Sequence, residues 1–162
     1  MSSDPPGFEL PLRLLLAFRG LIDQLHRELA ELGHPGLRPV HGYALQAVGP
    51  RGTTAAELGR ALGVSKQAAG KTLDALSQLG YVTRGQDTRD RRRKVVVLTE
   101  RGRDCLHQSG LVFQRLRQEW EERLGTERLR QLEEDLRTLT PEGTSPRFPL
   151  DAPGWLGGSL QD

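Results

Sequence analysis

One stretch decides the fold of this 162-residue chain: Tyr81-Val-Thr-Arg-Gly-Gln-Asp-Thr-Arg-Asp-Arg-Arg-Arg-Lys-Val-Val-Val-Leu98. Its two ends, residues 81–84 and 95–98, are short runs rich in β-branched residues, and a polar loop over 85–94 separates them. Two such runs on either side of a turn-forming segment predict a β-hairpin. Because the loop contains four arginines, the hairpin should have a strongly basic tip.

Two short helices are predicted immediately before the hairpin. Thr54 and Glu57 have the spacing of a capping box, in which each side chain accepts a hydrogen bond from the other residue's backbone amide. The first helix should end at Gly63, and Ser65 should cap the second, which Gly80 should terminate. Because only three residues separate these helices, they should cross steeply as a helix-turn-helix.

Apolar residues spaced by three and four predict longer helices at both ends of the chain. One runs through residues 14–32, and a short helix at about 39–48 follows it. After the hairpin, Thr99 should cap a helix extending to Gly125, and Thr126 should cap a last helix with an inward stripe of leucines from Leu129 to Leu139. The predicted fold class is mainly α with a small β-hairpin wing, a winged helix-turn-helix.

Charge is unevenly distributed along the chain. The formal net charge is only +2, but residues 54–99 contain nine basic and four acidic residues, a net charge of +5 that leaves −3 for the remainder. A basic middle in an otherwise acidic chain is typical of a site for a polyanion. A helix-turn-helix followed by a basic hairpin favours duplex DNA as that polyanion.

The residues expected to contact DNA lie on the second helix of the helix-turn-helix and on the wing. Only the N-terminal half of that helix is basic, which suits entry into the major groove with the positive end of the helix dipole toward phosphate. Arg89, near the hairpin tip, suits a minor groove. The alternative is an ordinary solvated face, and Gly70 can equally reflect tight packing. The candidate DNA-binding residues are Ser65, Lys66, Gln67, Gly70, Lys71, Arg84, Arg89, Arg91, Arg92 and Arg93.

Residues 54–139 resemble the MarR family of bacterial winged-helix transcription regulators. The most specific match is the wing pattern Asp-x-Arg-Asp-x-Arg, followed by a strand, Leu-Thr and a glycine in the next helix. Thr88 departs from the family, where proline is common at this position. The segments that carry the resemblance are Leu58-Gly-Arg-Ala-Leu-Gly-Val-Ser65, Leu76-Ser-Gln-Leu-Gly-Tyr-Val82, Asp87-Thr-Arg-Asp-Arg-Arg92 and Val95-Val-Val-Leu-Thr-Glu-Arg-Gly102.

The resemblance implies an architecture as well as a function. Residues 1–140 would form one domain, with dimerisation helices at 10–32 and 99–139 and a DNA-binding lobe at 39–98, followed by a Pro/Gly-rich tail at 141–162. Asp87 or Asp90 would structure the wing by holding Arg92 in a charge-assisted bond. The protein would be a sequence-specific regulator, a ligand-responsive repressor that binds a pseudo-palindromic operator as a homodimer.

Many members of the family release DNA when a small aromatic acid binds between the dimer helices and the DNA-binding lobe, and others sense oxidants through a cysteine. The residues that could line such an effector pocket could equally belong to an ordinary hydrophobic core. Cys105 lies on an apolar stripe, as a buried small hydrophobe would, although its basic neighbours leave oxidant sensing open. The candidate pocket residues are Phe18, His41, Tyr43 and Phe113.

Other chemistry has little support in the sequence. A single cysteine excludes an intramolecular disulfide, and the four histidines lack metal-ligand spacing. No phosphate-binding loop or nucleophile motif is present, so we expect neither an enzyme nor a cofactor or metal. The apolar run at 14–18 is too short for a signal peptide or a membrane span, which favours a cytoplasmic protein with no membrane partner. The alternative function is a protein-interaction or anti-regulator module that uses the winged helix and the apolar tail.

Overall fold

The structure, a computed structural model, describes residues 6–87 and 89–140, and these residues form six helices and one two-stranded sheet. This confirms the predicted mainly α fold with a β-hairpin wing. The expected Pro/Gly-rich tail at 141–162 lies outside the described residues. In chain order the elements are α1 (Glu9–Glu31), α2 (Pro39–Val48), α3 (Ala55–Leu62), α4 (Lys66–Gln78), β1 (Val82–Gln86), β2 (Lys94–Leu98), α5 (Glu100–Leu124) and α6 (Thr126–Leu139).

Side-chain caps define the helix-turn-helix, as predicted. Thr54 Oγ1 accepts a hydrogen bond from the Glu57 amide at 3.3 Å, and Glu57 Oε2 accepts one from the Thr54 amide at 2.9 Å. Ser65 Oγ accepts the Ala68 amide at 3.1 Å and starts α4. Between the helices, Gly63 has φ of +68°, a left-handed conformation that costs glycine little. The chain therefore turns from α3 into α4 within three residues.

The wing is an antiparallel hairpin in which Val82 pairs with Leu98 and Gln86 pairs with Lys94. Thr53 extends this sheet by one residue, because its amide donates to Val96 O at 2.9 Å and its carbonyl accepts the Val96 amide at 2.7 Å. The segment before α3 is thus hydrogen-bonded to β2. This pairing fixes the base of the wing against the helix-turn-helix.

Tyr81 was expected to belong to the first strand, but it precedes β1 and is fully buried. Its amide donates to Leu76 O at 2.9 Å and its carbonyl accepts the Thr99 amide at 3.0 Å. Gly102, in the first turn of α5, lies so close that a Cβ atom there would be 2.2 Å from Tyr81 O. The start of α5 therefore packs directly on the backbone that leads into the wing.

The core is a cluster of buried side chains that includes the second half of α1, α2, α4 and α5. From α1 it takes Ile22, Leu25 and Leu29. The large side chains with less than 2% exposure include Leu45 of α2 and Leu116 of α5. This packing holds the helix-turn-helix against the long helices.

The two terminal helices leave much of their apolar surface exposed in the single chain. Every residue from 11 to 20 is exposed, and in α6 only Leu129 is buried while Leu136 and Leu139 are 40% and 72% exposed. Thr126 was expected to cap α6, but Gly125 occupies the cap position and no side-chain cap bond forms. The exposed large hydrophobic residues near the N-terminus are Phe8, Leu10, Leu12, Leu14, Leu15, Leu16 and Phe18.

Candidate nucleic-acid interface

The N-terminal half of α4 places the predicted helix residues on the protein surface. Ser65, Lys66, Gln67 and Lys71 are all exposed, whereas Ala69 and the leucines of the opposite face are buried in the core. The first turns of α4 therefore present two lysines and a glutamine around the positive end of the helix. This arrangement suits contact with an anionic partner.

Gly70 lies on the same face. A glycine at this position could reflect close approach of DNA or tight packing within the chain, and the structure argues against tight packing. A Cβ atom at this position would meet only Ala55 Cβ, at 4.0 Å, which is an ordinary van der Waals contact. Packing within the chain therefore does not require glycine here.

Asp87 and Asp90 shape the wing loop by accepting hydrogen bonds from backbone amides. Asp87 Oδ1 accepts the Arg89 amide at 2.8 Å, and Asp90 Oδ1 accepts the Arg92 amide at 3.0 Å. The bond from the Arg89 amide, aided by the Arg93 guanidinium, lowers the pKa of the Asp87 carboxyl. Each carboxylate thus holds the backbone of the wing loop, and the bond that Asp90 accepts comes from the Arg92 amide and not from the Arg92 side chain.

The arginine whose side chain the wing holds is Arg93, not Arg92. Its Nη1 donates to Asp87 Oδ2 at 3.0 Å, and its Nη2 donates to Glu57 Oε1 at the start of α3. The bond to Glu57, more than the bond to Asp87, raises the pKa of Arg93. Because two carboxylates engage its guanidinium, we assign Arg93 to fastening the wing to α3 rather than to direct DNA contact.

Glu57 is the other half of this attachment. Burial alone would raise the pKa of its carboxyl, but the hydrogen bonds from Thr54 and Arg93 outweigh burial and the pKa is lowered. The carboxylate form is therefore favoured, and it keeps both its capping bond and its bond to the wing.

The wing and α4 line a common groove of about 550 Å³. Gly70 and Asp74 of α4 lie on it together with Arg84 and Lys94 of the hairpin. Arg84, Arg89, Arg91 and Arg92 are all exposed. The structure thus brings the middle of α4, at Gly70 and Asp74, next to the basic strands of the hairpin.

A second groove, of about 730 Å³, lies between α3 and the wing loop. Arg51 and Arg60 line it with Arg89 and Arg93, and the sequence prediction missed the first two. The sequence did contain an indication for Arg60. It lies three residues after Glu57, and residues three apart share one face of a helix.

The candidate effector residues are not gathered around either groove. His41 is buried, Tyr43 and Phe113 are half-buried against the core cluster, and Phe18 is 45% exposed on α1. His41 Nδ1 accepts the Arg38 amide at 3.2 Å and so caps α2. Burial, reinforced by the charges of Arg38 and His26, lowers the pKa of His41. His41 therefore has a structural role at the start of α2.

Cys105 is fully buried, and burial raises the pKa of its thiol to about 12. Oxidant sensing depends on an accessible thiolate. This environment therefore supports the reading of Cys105 as a small hydrophobe.

A buried polar network that the sequence did not reveal joins α1, the wing and α5. His34, only 3% exposed, has Nε2 at 2.9 Å from Asp104 Oδ2 and Nδ1 at 3.3 Å from the Tyr81 hydroxyl. Arg101 lies over the Tyr81 ring at 4.7 Å and donates to its hydroxyl at 3.3 Å and to Gly33 O at 3.0 Å. The bond to His34 lowers the pKa of Asp104.

Residues 6–87 and 89–140 contain no group of three or more His, Cys, Asp or Glu side chains arranged to hold a metal ion. None of the helices described combines the length and the apolar character needed to cross a membrane.

Comparison with known proteins agrees with this geometry. Residues 36–93 match the model of the MarR family, while the comparison with curated protein sequences gave no match. A solved structure of the Multiple Antibiotic Resistance Repressor, MarR, shares 26% identity with a TM-score of 0.62, over 86% of this chain and 98% of that one.

Two further solved structures show the same fold at lower identity. FabT from Streptococcus pneumoniae in complex with DNA is 16% identical, with a TM-score of 0.69 over 83% of this chain and 94% of that one. CouR from Rhodococcus jostii RHA1 bound to p-coumaroyl-CoA is 19% identical, with a TM-score of 0.62 over 85% and 95%. Over its matched segment the chain is similar to the MarR family of transcription regulators, and its described residues share the winged helix-turn-helix fold of these neighbours.

Proposed function

We propose that this protein is a sequence-specific DNA-binding transcription regulator that binds its operator as a homodimer. The observation that carries this proposal is the groove shared by α4 and the basic hairpin. The same segment matches the family model, and one structural neighbour was solved in complex with DNA.

In this proposal α4 enters the major groove with its N-terminus first. Gln67 is suited to the hydrogen-bonding edge of adenine, and Lys66 and Lys71 to guanine or phosphate. Arg89 at the wing reaches an adjacent minor groove, where narrow A·T tracts concentrate negative potential. The remaining exposed wing arginines, Arg84, Arg91 and Arg92, contact phosphates and set the position of the protein on the duplex.

Dimerisation is proposed from the apolar surface of the terminal helices. Residues 11–20 of α1 and the end of α6 expose leucine and phenylalanine side chains to solvent. An exposed apolar surface of this kind marks an interaction site, and a second copy of the chain would cover it symmetrically. A two-fold dimer would place two α4 helices about one duplex turn apart, roughly 34 Å, and would bind a pseudo-palindromic operator.

We further propose that the protein is a repressor released by a small aromatic effector. One neighbour is named a repressor and another was solved bound to p-coumaroyl-CoA. The effector would bind between the dimer helices and the lobe at 39–98, where Phe18, Tyr43 and Phe113 are available. No cofactor or catalytic step is required for this function.

The DNA-binding proposal can be tested by fluorescence anisotropy with an operator selected from a random duplex pool. If each protomer neutralises about four phosphates, log K should fall with log salt at a slope of about −7. The double variant Lys66→Ala/Lys71→Ala should bind more weakly with a shallower slope. Arg123→Ala/Arg128→Ala removes two exposed charges from α5 and α6. This control should bind as the wild type does, with light scattering used to verify that it forms the same dimer. A flat salt response, or a monomer at micromolar concentration in light scattering, would contradict the proposal.

A further inference from the structure

The groove between α3 and the wing loop shares only Arg89 with the binding mode just described. Its volume of about 730 Å³ is large enough for a small ligand. Arg51 comes from the turn after α2, Arg60 from α3, and Arg89 and Arg93 from the wing loop. Three separate parts of the chain thus supply arginines to one concave surface.

The charges of this groove are only partly compensated. Arg93 is paired with Glu57 and Asp87, and both of these carboxylates also line the groove. Within the described part of the chain, Arg51, Arg60 and Arg89 form no ion pair. All three are exposed, so their guanidinium groups are available to an anion without the loss of an existing salt bridge.

Internal hydrogen bonds hold the walls of the groove in place. The Thr53–Val96 backbone pair ties the turn before α3 to the wing, and the Arg93–Glu57 bond ties α3 to the wing loop. The Arg89 backbone is fixed by its bond to Asp87 Oδ1 at 2.8 Å. A ligand would therefore meet a groove that is already formed, which reduces the ordering cost of binding.

We propose that this groove is a phosphate-binding site in which Arg51, Arg60 and Arg89 hold the anion. Guanidinium groups donate paired hydrogen bonds that match the oxygens of a phosphate group, and three unpaired cations attract the single charge of a phosphodiester or the higher charge of a free phosphate group. The phosphate belongs either to the DNA backbone beside the wing or to a free phosphate-bearing ligand. The first source rests on the proposed DNA-binding function, whereas the second does not.

Two assays on the full-length protein separate these sources. In the first, inorganic pyrophosphate is titrated by calorimetry into the DNA-free protein at low ionic strength. The double variant Arg51→Gln/Arg60→Gln should weaken pyrophosphate binding by about tenfold or more, because it removes two charge-assisted donors. The control Arg123→Gln/Arg128→Gln makes the same change of charge on α5 and α6 and should bind pyrophosphate as the wild type does.

In the second assay, the same variants are compared for operator binding as a function of salt. If the groove takes a backbone phosphate, Arg51→Gln/Arg60→Gln should make the salt slope shallower by about 1 per protomer, or about 2 for the dimer. Loss of pyrophosphate binding with an unchanged slope identifies a free phosphate-bearing ligand. If the chain does not bind DNA at all, the pyrophosphate assay still tests the groove. The proposal is overturned if the double variant matches the control in both assays while thermal melting shows both to be folded.

Discussion

Glu57 holds α3 and the wing with the two oxygens of one carboxylate. Its Oε2 accepts hydrogen bonds from the Thr54 amide at 2.9 Å and the Thr54 hydroxyl at 3.0 Å, and its Oε1 accepts a bond from Arg93. The residue that begins the first helix of the helix-turn-helix therefore also sets the position of the wing relative to it.

Replacing Glu57 by Gln should loosen the wing without unfolding the helices. Glutamine retains an oxygen for the Thr54 amide but loses the negative charge that Arg93 faces. In hydrogen exchange, the Arg89 and Arg93 amides should exchange faster than in the wild type, while the Leu76 amide should be unchanged. Equal rates at the wing amides in both proteins would show that the bond between Glu57 and Arg93 does not hold the wing.

Gly102→Ala should destabilise the protein even though alanine favours helices. A Cβ atom at residue 102 would lie 2.2 Å from Tyr81 O, so either α5 or the backbone before β1 must move. We expect the free energy of unfolding, measured with urea, to fall by about 2 kcal/mol or more, as overpacked sites typically show. A variant as stable as the wild type would mean that this contact relaxes without cost.

Gly70→Ala, at a helical glycine with room for a methyl group, should have the opposite effect on stability. With only Ala55 Cβ at 4.0 Å, the new methyl group has room, and the unfolding free energy should rise by about 1 kcal/mol from helix propensity. Operator affinity should nevertheless fall, because we expect Gly70 to let DNA approach the α4 backbone closely. Unchanged affinity in the stabilised variant would refute that role.

Stability should decrease as the pH falls below about 6.5, because the folded protein disfavours protonation of His41 relative to the unfolded chain. Burial and the Arg38 charge lower its pKa from the ordinary value of 6.5, so the unfolded chain binds protons that the folded chain resists. Between about pH 7.5 and about pH 5.5 the Tm of the wild type should fall, and the fall should be smaller in His41→Gln.

His26, whose pKa burial also lowers, contributes in the same direction, so the variant His26→Gln/His41→Gln should show the least pH dependence. The carboxyl groups with lowered pKa values lose their stabilisation only at more acidic pH, below the ordinary values of 3.8 for aspartates such as Asp104 and 4.5 for glutamates such as Glu57. An identical fall in Tm for wild type and His41→Gln would argue against a neutral His41.

Local sequence patterns predicted the bounds and caps of several helices closely. The bounds of α2 were predicted as about 39–48 and are Pro39–Val48, and the Ser65 and Thr99 caps form as expected. These features depend on hydrogen bonds between residues a few positions apart, which spacing reveals. The apolar stripe of α1 predicted the helix, but it did not predict which half of the helix packs within the chain.

The prediction failed where residues far apart in sequence meet. In the sequence, Arg92 and Arg93 each have a carboxylate nearby in the wing, so spacing does not distinguish them. Only the fold brings Glu57, which is 36 positions away, to Arg93. His34 lies 47 positions from Tyr81 and 70 from Asp104, so no local motif marks their contact. Arg51 and Arg60 become part of a groove only because the wing loop folds back beside them.

The shared hydroxyl of Tyr81 has a mechanical consequence. Because His34 follows α1 and Arg101 lies on α5, one oxygen atom ties the ends of both long helices to the residue that leads into β1. If the angle between those helices changes, the connecting loops alone cannot absorb the change. Either the hairpin base moves as well or a hydrogen bond to the Tyr81 hydroxyl breaks. We therefore expect the two helices and the base of the hairpin to move together, so that a change in the helix angle would displace the arginine tip.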